Sequence, residues 1–136
     1  MLIHFFGYTI YEPVTVLTDV LLALFCFFLS SRLIRNENPW WIFFLAVGCS
    51  NLLGGIGHGL YVEKDNIVQL FARLFGMTSV LGAGIATLQR FSKGFKRSAA
   101  TAFVLLNFLV FTGWLLLNNT FVHVKWNATF GLGIFV

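Results

Sequence analysis

Apolar residues along this chain fall into four long runs separated by short polar clusters, the pattern of helices that cross a bilayer. The first run covers about 14–34. Pro13 stands at its first turn, where a missing N–H costs nothing, and Asn36-Glu37-Asn38 forms the turn that follows. The second covers about 39–62 and opens on Pro39-Trp40-Trp41, proline at a helix start and tryptophan at an interface. Glu63-Lys64-Asp65-Asn66 separates it from the third run, about 67–88, and a basic cluster ending at Arg97 precedes the fourth, about 99–117. Residues 118–126 read as a polar loop. The last apolar stretch, 128–136, falls short of the ~20 residues that a crossing needs. It reads as a re-entrant or interfacial tail, a half-helix completed by a partner, or the opening of a fifth helix in a chain cut short. The ending Gly-Ile-Phe-Val, with no polar stop, favours the last reading. Residues 2–10 lack the basic start and small-residue cleavage site of a signal peptide, and read as a short amphipathic or interfacial lead-in. The expected fold is all-α: a polytopic transmembrane helical bundle of four full spans plus a partial fifth, forming one membrane domain over 1–136.

Composition narrows the function classes. The chain has 136 residues, 58% hydrophobic and only 10% charged, with a mean hydropathy of +0.85. Soluble domains carry about 25% charged residues. The net charge of +4 could suggest a nucleic-acid partner, but the basic residues gather in two short loops and not on one face. The lipid bilayer is the expected partner, with other membrane chains or a second copy beside it, and nucleic acid is excluded. Cys26 and Cys49 sit within apolar runs, far from any CxxC spacing, and read as small buried thiols.

The same loops predict topology. Arg32 and Arg35 follow the first run, and Arg90, Lys93, Lys96 and Arg97 follow the third, so six of nine basic residues lie on one side. The positive-inside rule assigns loops 32–38 and 90–97 to the cytoplasm and the N-terminus to the extracytoplasmic side. Two N-x-T sequons, at Asn118 and Asn127, then face outward and would accept glycans only in a eukaryotic secretory pathway.

Ionisable side chains inside apolar helices are costly, about 2.5–3.5 kcal/mol each on insertion scales, and frequently mark function. Taking ~1.5 Å of rise per residue, Asp19 and Arg73 lie ~9 and ~10 Å below the outer starts of their helices. His58 lies ~6 Å from the outer end of the second helix on the same measure. Glu12 precedes Asp19 by seven residues, and Gln69 precedes Arg73 by four, so each pair is expected to share a helix face. Two readings of the layer Glu12, Asp19, His58, Gln69 and Arg73 compete. In one, Asp19 and Arg73 form an ion pair between the first and third helices, with His58 hydrogen-bonded to a carbonyl or to Gln69. In the other, a polar cavity opens outward, with Glu12, Asp19 and His58 as metal ligands or proton carriers.

Small residues give a packing prediction. Gly55 with Gly59, and Ser50 with Gly54, are small-xxx-small pairs that bring membrane helices close together. Gly76, Gly82 and Gly84 of the third run are the expected complementary flat face. Asn51 and Asn107 are expected to hydrogen-bond between helices near mid-membrane.

The order of Glu12-Pro13…Leu17-Thr18-Asp19, a basic loop, and Gly54-Gly55-Ile56-Gly57-His58-Gly59 resembles uncharacterised bacterial membrane proteins with an EP…LTD first helix and a GG..HG second helix. More distantly, the N-terminal part resembles the CREST superfamily, the alkaline ceramidase and adiponectin-receptor group. That resemblance implies a seven-helix bundle with zinc as cofactor, in which His58 is a metal ligand and Glu12 the first-helix acid, with Thr18 and Asp19 in place of a Ser-Asn pair. The pattern departs at Gly54, where the family has Ser, and at Gln69, where it has Asp. The family's HxxxH falls in a last helix that has no counterpart here.

Three function classes stay open: a packing scaffold with an outward polar layer, ranked first; a zinc-dependent lipid amide hydrolase in a longer native chain; and a proton or ion conductor using Glu12, Asp19 and His58. Catalytic residues are not identifiable, and an enzyme is expected only if the native chain is longer.

Overall fold

A computed structural model describes residues 2–5, 8–60, 66–89 and 94–133, with no side-chain description before Thr9. Two short strands, β1 (Leu2–Phe5) and β2 (Tyr8–Tyr11), pair antiparallel with Leu2 opposite Tyr11 and Phe5 opposite Tyr8. The expected amphipathic lead-in is therefore a β-hairpin. Its residues, rich in Ile, Tyr, Thr and Phe, suit a pleated conformation, and Pro13 stops the hairpin from running into a helix without a turn. That turn is Glu12, in the left-handed region at φ 48°.

Five helices follow: α1 (Pro13–Arg35), α2 (Trp40–Gly59), α3 (Ile67–Leu88), α4 (Phe95–Leu117) and α5 (Phe121–Gly133). The first four, at 20 to 23 residues, are long and apolar enough to cross a membrane, so the chain is an all-α helical bundle of integral-membrane type. Asn38 Oδ1 accepts from Trp40 N at 3.1 Å to start α2, and Asn66 Oδ1 accepts from Val68 N at 3.0 Å to cap α3.

Three boundaries differ from the sequence reading. Helix α2 ends at Gly59, short of 62, because its last turn is glycine-rich and resists helical continuation. Helix α4 begins at Phe95, four residues before 99: the break is set by Gly94 at φ 147°, and Lys96 and Arg97 belong to the helix. The largest correction is α5. It begins at Phe121, so most of the supposed 118–126 loop is helical, and the apolar stretch from 128 is its second half as far as Gly133.

Helix α1 packs mainly on α2, α2 also on α3, and α3 on both α4 and α5, which pack on each other. The glycines of α2 serve the first of these seams. A Cβ at Gly55 would stand 3.1 Å from Asp19 Cβ, and one at Gly59 would stand 3.3 Å from a Val16 methyl, so α2's small face receives α1. The expected complementary set on α3 is divided. Gly82 receives the α2 backbone at Phe43, Gly84 receives Val104 of α4, and Gly76 lies near both Ser50 and Val124. Ser50 Oγ joins α2 to α3 by donating to Ala72 O at 2.8 Å, and Ser30 Oγ joins α1 to α2 through Trp41 O at 3.0 Å. Both cysteines are unpaired, Cys26 buried and Cys49 half-buried. The end of the bundle that carries the β-hairpin, the close of α2 and the α4–α5 turn is called the hairpin end below.

Candidate functional site: a polar cavity at the hairpin end

Helical periodicity builds most of the cavity wall. On α2, Ser50 or Asn51, Gly54 and His58 recur every four residues, and on α3 Gln69 and Arg73 do the same, so each helix turns one polar stripe to a common space. Asp19 of α1 closes one side. Asn119 and Thr120 of the α4–α5 turn, with Phe121 and Val124 of α5, close the other. The cavity, open on one side, measures about 710 Å³. That is within the range of about 300–1,000 Å³ typical of small-molecule sites.

Each side chain of the expected polar layer can now be placed. Asp19 lies over the glycine face of α2, its carboxylate oxygen 3.8 Å from where a Cβ at Gly54 or Gly55 would stand, and within electrostatic reach of His58. A side chain at either glycine would touch that carboxylate, and one at Gly55 would also press on Asp19 Cβ. Glu12 does not share a helical face with Asp19, because it precedes the helix in a left-handed turn. From there its Oε2 reaches His58 Nδ1 at 3.1 Å, with side chains 61% and 45% exposed. His58 thus has a carboxylate partner, where the ion-pair reading expects a carbonyl or Gln69 and the cavity reading groups it with Glu12 and Asp19. Gln69 lies against α2 instead, its amide filling the space a side chain at Gly57 would need. Arg73 donates from Nη1 to the Asn119 carbonyl at 2.5 Å and to the Asn119 side-chain oxygen. The guanidinium thereby ties α3 to the turn between α4 and α5.

Both asparagines predicted near mid-membrane bond, but differently. Asn107 Nδ2 donates across to Asn127 O of α5 at 3.3 Å. Asn51 Nδ2 donates within its own helix, to Val47 O at 2.8 Å, and the residue also lines the cavity. The second sequon fails as a glycan acceptor, since Asn127 is 0% exposed, whereas Asn118 is exposed.

Zinc requires about three protein donors converging on one point. Among the described residues no group of three or more His, Cys, Asp and Glu side chains is placed to hold a metal ion. His58 has Glu12 beside it, but that pair does not amount to the ligand set that the ceramidase resemblance implies, and no metal-dependent step is derived. Sequence reasoning missed Asn119, Thr120, Phe121 and Val124 because they were assigned to a loop outside the membrane.

A family model matches residues 14–136, which takes in α1 from its second residue, the other four helices and every cavity residue. The chain belongs to the family of unknown function DUF6962. Comparison with curated proteins and with solved structures finds no match. As a DUF6962 chain it carries the cavity wholly within the matched region, before which lie the hairpin, Glu12 and Pro13.

Proposed function

We propose that this chain is a membrane-embedded binding protein that takes a small zwitterionic molecule into the polar cavity from the extracytoplasmic side. One observation carries the reading: a cavity of about 710 Å³ between membrane-type helices lined by a carboxylate, Asp19, a guanidinium, Arg73, an imidazole, His58, and the amides Asn51, Gln69 and Asn119. A wall bearing both charges favours a ligand bearing both. The guanidinium offers donors to an anionic group, Asp19 attracts a cationic one, and Ala72, Phe121 and Val124 accept an apolar remainder. A scaffold needs paired polar groups at helix contacts and does not need this space. The outward orientation rests on the positive-inside rule, which puts the basic ends of α1 and α4, with Arg32, Arg35, Lys96 and Arg97, in the cytoplasm.

Cysteine accessibility tests the reading. In a Cys26→Ala, Cys49→Ala background, single cysteines at 51, 69 and 120 should all react with a membrane-impermeant thiol reagent added outside. A panel of free amino acids and phosphocholine should contain a member that protects position 69, with protection lost on Asp19→Asn or Arg73→Gln. Labelling at 120 without labelling at 51 or 69 would show a dry interior. Labelling without protection by any panel member would remove the zwitterion assignment.

A second reading, proton uptake, is favoured by the line from exposed Glu12 through His58 toward Asp19. A pH step applied to proteoliposomes loaded with a fluorescent pH indicator distinguishes the two: uptake abolished by Asp19→Asn supports conduction, and a rate equal to that of empty liposomes removes it.

A further inference from the structure

On α5, outside the cavity lining, two polar side chains are enclosed without hydrogen-bond partners. His123 is 5% exposed and Asn127 0% exposed, and the nitrogens of the imidazole, Nδ1 and Nε2, and the Nδ2 and Oδ1 of the amide have no hydrogen bond. They stand four residues apart, so they sit one above the other on a single helix face. Their surroundings come from α3 and α4. The Trp114 ring lies 4.5 Å from the imidazole at a tilt of 31°, Asn107 Nδ2 approaches the Asn127 carbonyl at 3.3 Å, and Gly131 closes the lower edge against Val80 and Asn107. Buried polar atoms are nearly always hydrogen-bonded, and where protein supplies no partner, ordered water does.

We infer that the α3–α4–α5 interface holds a bound-water site, in which at least one ordered water bridges the His123 imidazole and the Asn127 amide. The donor and acceptor inventory fits. A neutral imidazole offers one donor and one acceptor, and a primary amide offers two donors and an acceptor, so a water between them can both donate and accept on each side. The occupant is water and not a metal, because one imidazole and amide groups give too few strong ligands for a cation. The site is independent of the cavity ligand. The cavity could stay empty and these four atoms would still need partners.

Solid-state NMR on the full chain in lipid bilayers, uniformly labelled with ¹⁵N, provides the test. The expected result is a cross-peak from slowly exchanging water protons to the His123 ring nitrogens, absent from amide sites flanking buried Cys26, which serve as a dry reference. X-ray hydroxyl-radical footprinting gives a second readout. His123 should be oxidised despite its burial, while Cys26, more reactive and 3% exposed, is spared. Asn127→Leu should remove the water cross-peak and lower His123 oxidation to the Cys26 level. If the variant does not fold, the measurements on the unaltered chain decide alone. A His123 ring without water contact and without oxidation would overturn the proposal.

Discussion

The bundle holds two collections of polar side chains, and they are built on opposite terms. Around the cavity, polar groups come from α1, α2, α3 and the α4–α5 turn, face open space, and have protein partners where they do not: Glu12 with His58, Arg73 with Asn119, Ser50 with the α3 backbone. On α5, His123 is buried against the Trp114 ring and Asn127 beside Asn107, and the polar atoms of their side chains have no hydrogen-bond partner from the protein. The first arrangement opens to its surroundings. The second cannot do so without moving a helix. Polarity inside a membrane helix is therefore not one signal: whether it marks a site open to ligands or an enclosed one depends on what stands in front of it.

One isosteric change made on both sides separates them most sharply. Asn127→Asp places a carboxylate in the sealed interface and is expected to destabilise the bundle by about 3 kcal/mol. Asn119→Asp puts the same charge beside Arg73 and should be neutral or slightly stabilising. Unfolding of the two variants in bicelles by SDS titration measures the difference, and equal losses would erase the distinction. Next in size is the glycine seam that positions Asp19. Gly55→Leu forces atoms against Asp19 Cβ at 3.1 Å and the Val16 carbonyl and should cost about 1–3 kcal/mol. Gly113→Leu, with nothing within 4 Å, should stay within about 0.5 kcal/mol of the parent in the same assay.

Arg73→Gln removes the charged donor that holds Asn119. It should cost about 1.5–3 kcal/mol in the same unfolding assay, and should raise proteolysis in the α4–α5 turn while leaving the α1–α2 turn unaffected. Glu12→Gln is expected to have the smallest effect, below about 1 kcal/mol, because the His58 pair is largely exposed and solvent screens it. A larger loss would mean that the pair closes the cavity mouth and does more than decorate it.

The sequence made the cavity half legible for a physical reason. Asp19, Ser50, Gly54, His58, Gln69 and Arg73 lie in or at the ends of long apolar runs, where each polar residue stands out and the four-residue spacing names its face. The α5 half was hidden by composition. Residues 118–127 contain three asparagines, a histidine and a lysine, so polarity outweighed periodicity and the segment read as a loop. The available signal was the run His123, Asn127, Gly131 at steps of four, one small-polar stripe on one helix face. Equal depth puts Asp19 and Arg73 at one level, as an expected ion pair, but does not reveal Asn119, the residue to which the guanidinium donates, because that contact spans 46 positions of chain. Nor does it show that Glu12 departs from the helix, since that depends on a left-handed turn before Pro13.

The turn between α1 and α2 has a consequence for biosynthesis. Only residues 36–39 separate the two helices, and Ser30 Oγ bonds to Trp41 O across that turn, while Phe27 fills the place of a side chain at Gly48. Domains assemble in the order in which the ribosome delivers them, N-terminal parts first. The acidic wall, Asp19 against Gly54 and Gly55, is complete as soon as the α1–α2 hairpin has entered the bilayer. The basic wall waits for α3, and Arg73 finds Asn119 only after α4 has also been made. A nascent chain paused between these events carries an acidic half-site facing lipid, the stage at which an insertion chaperone would have most to shield.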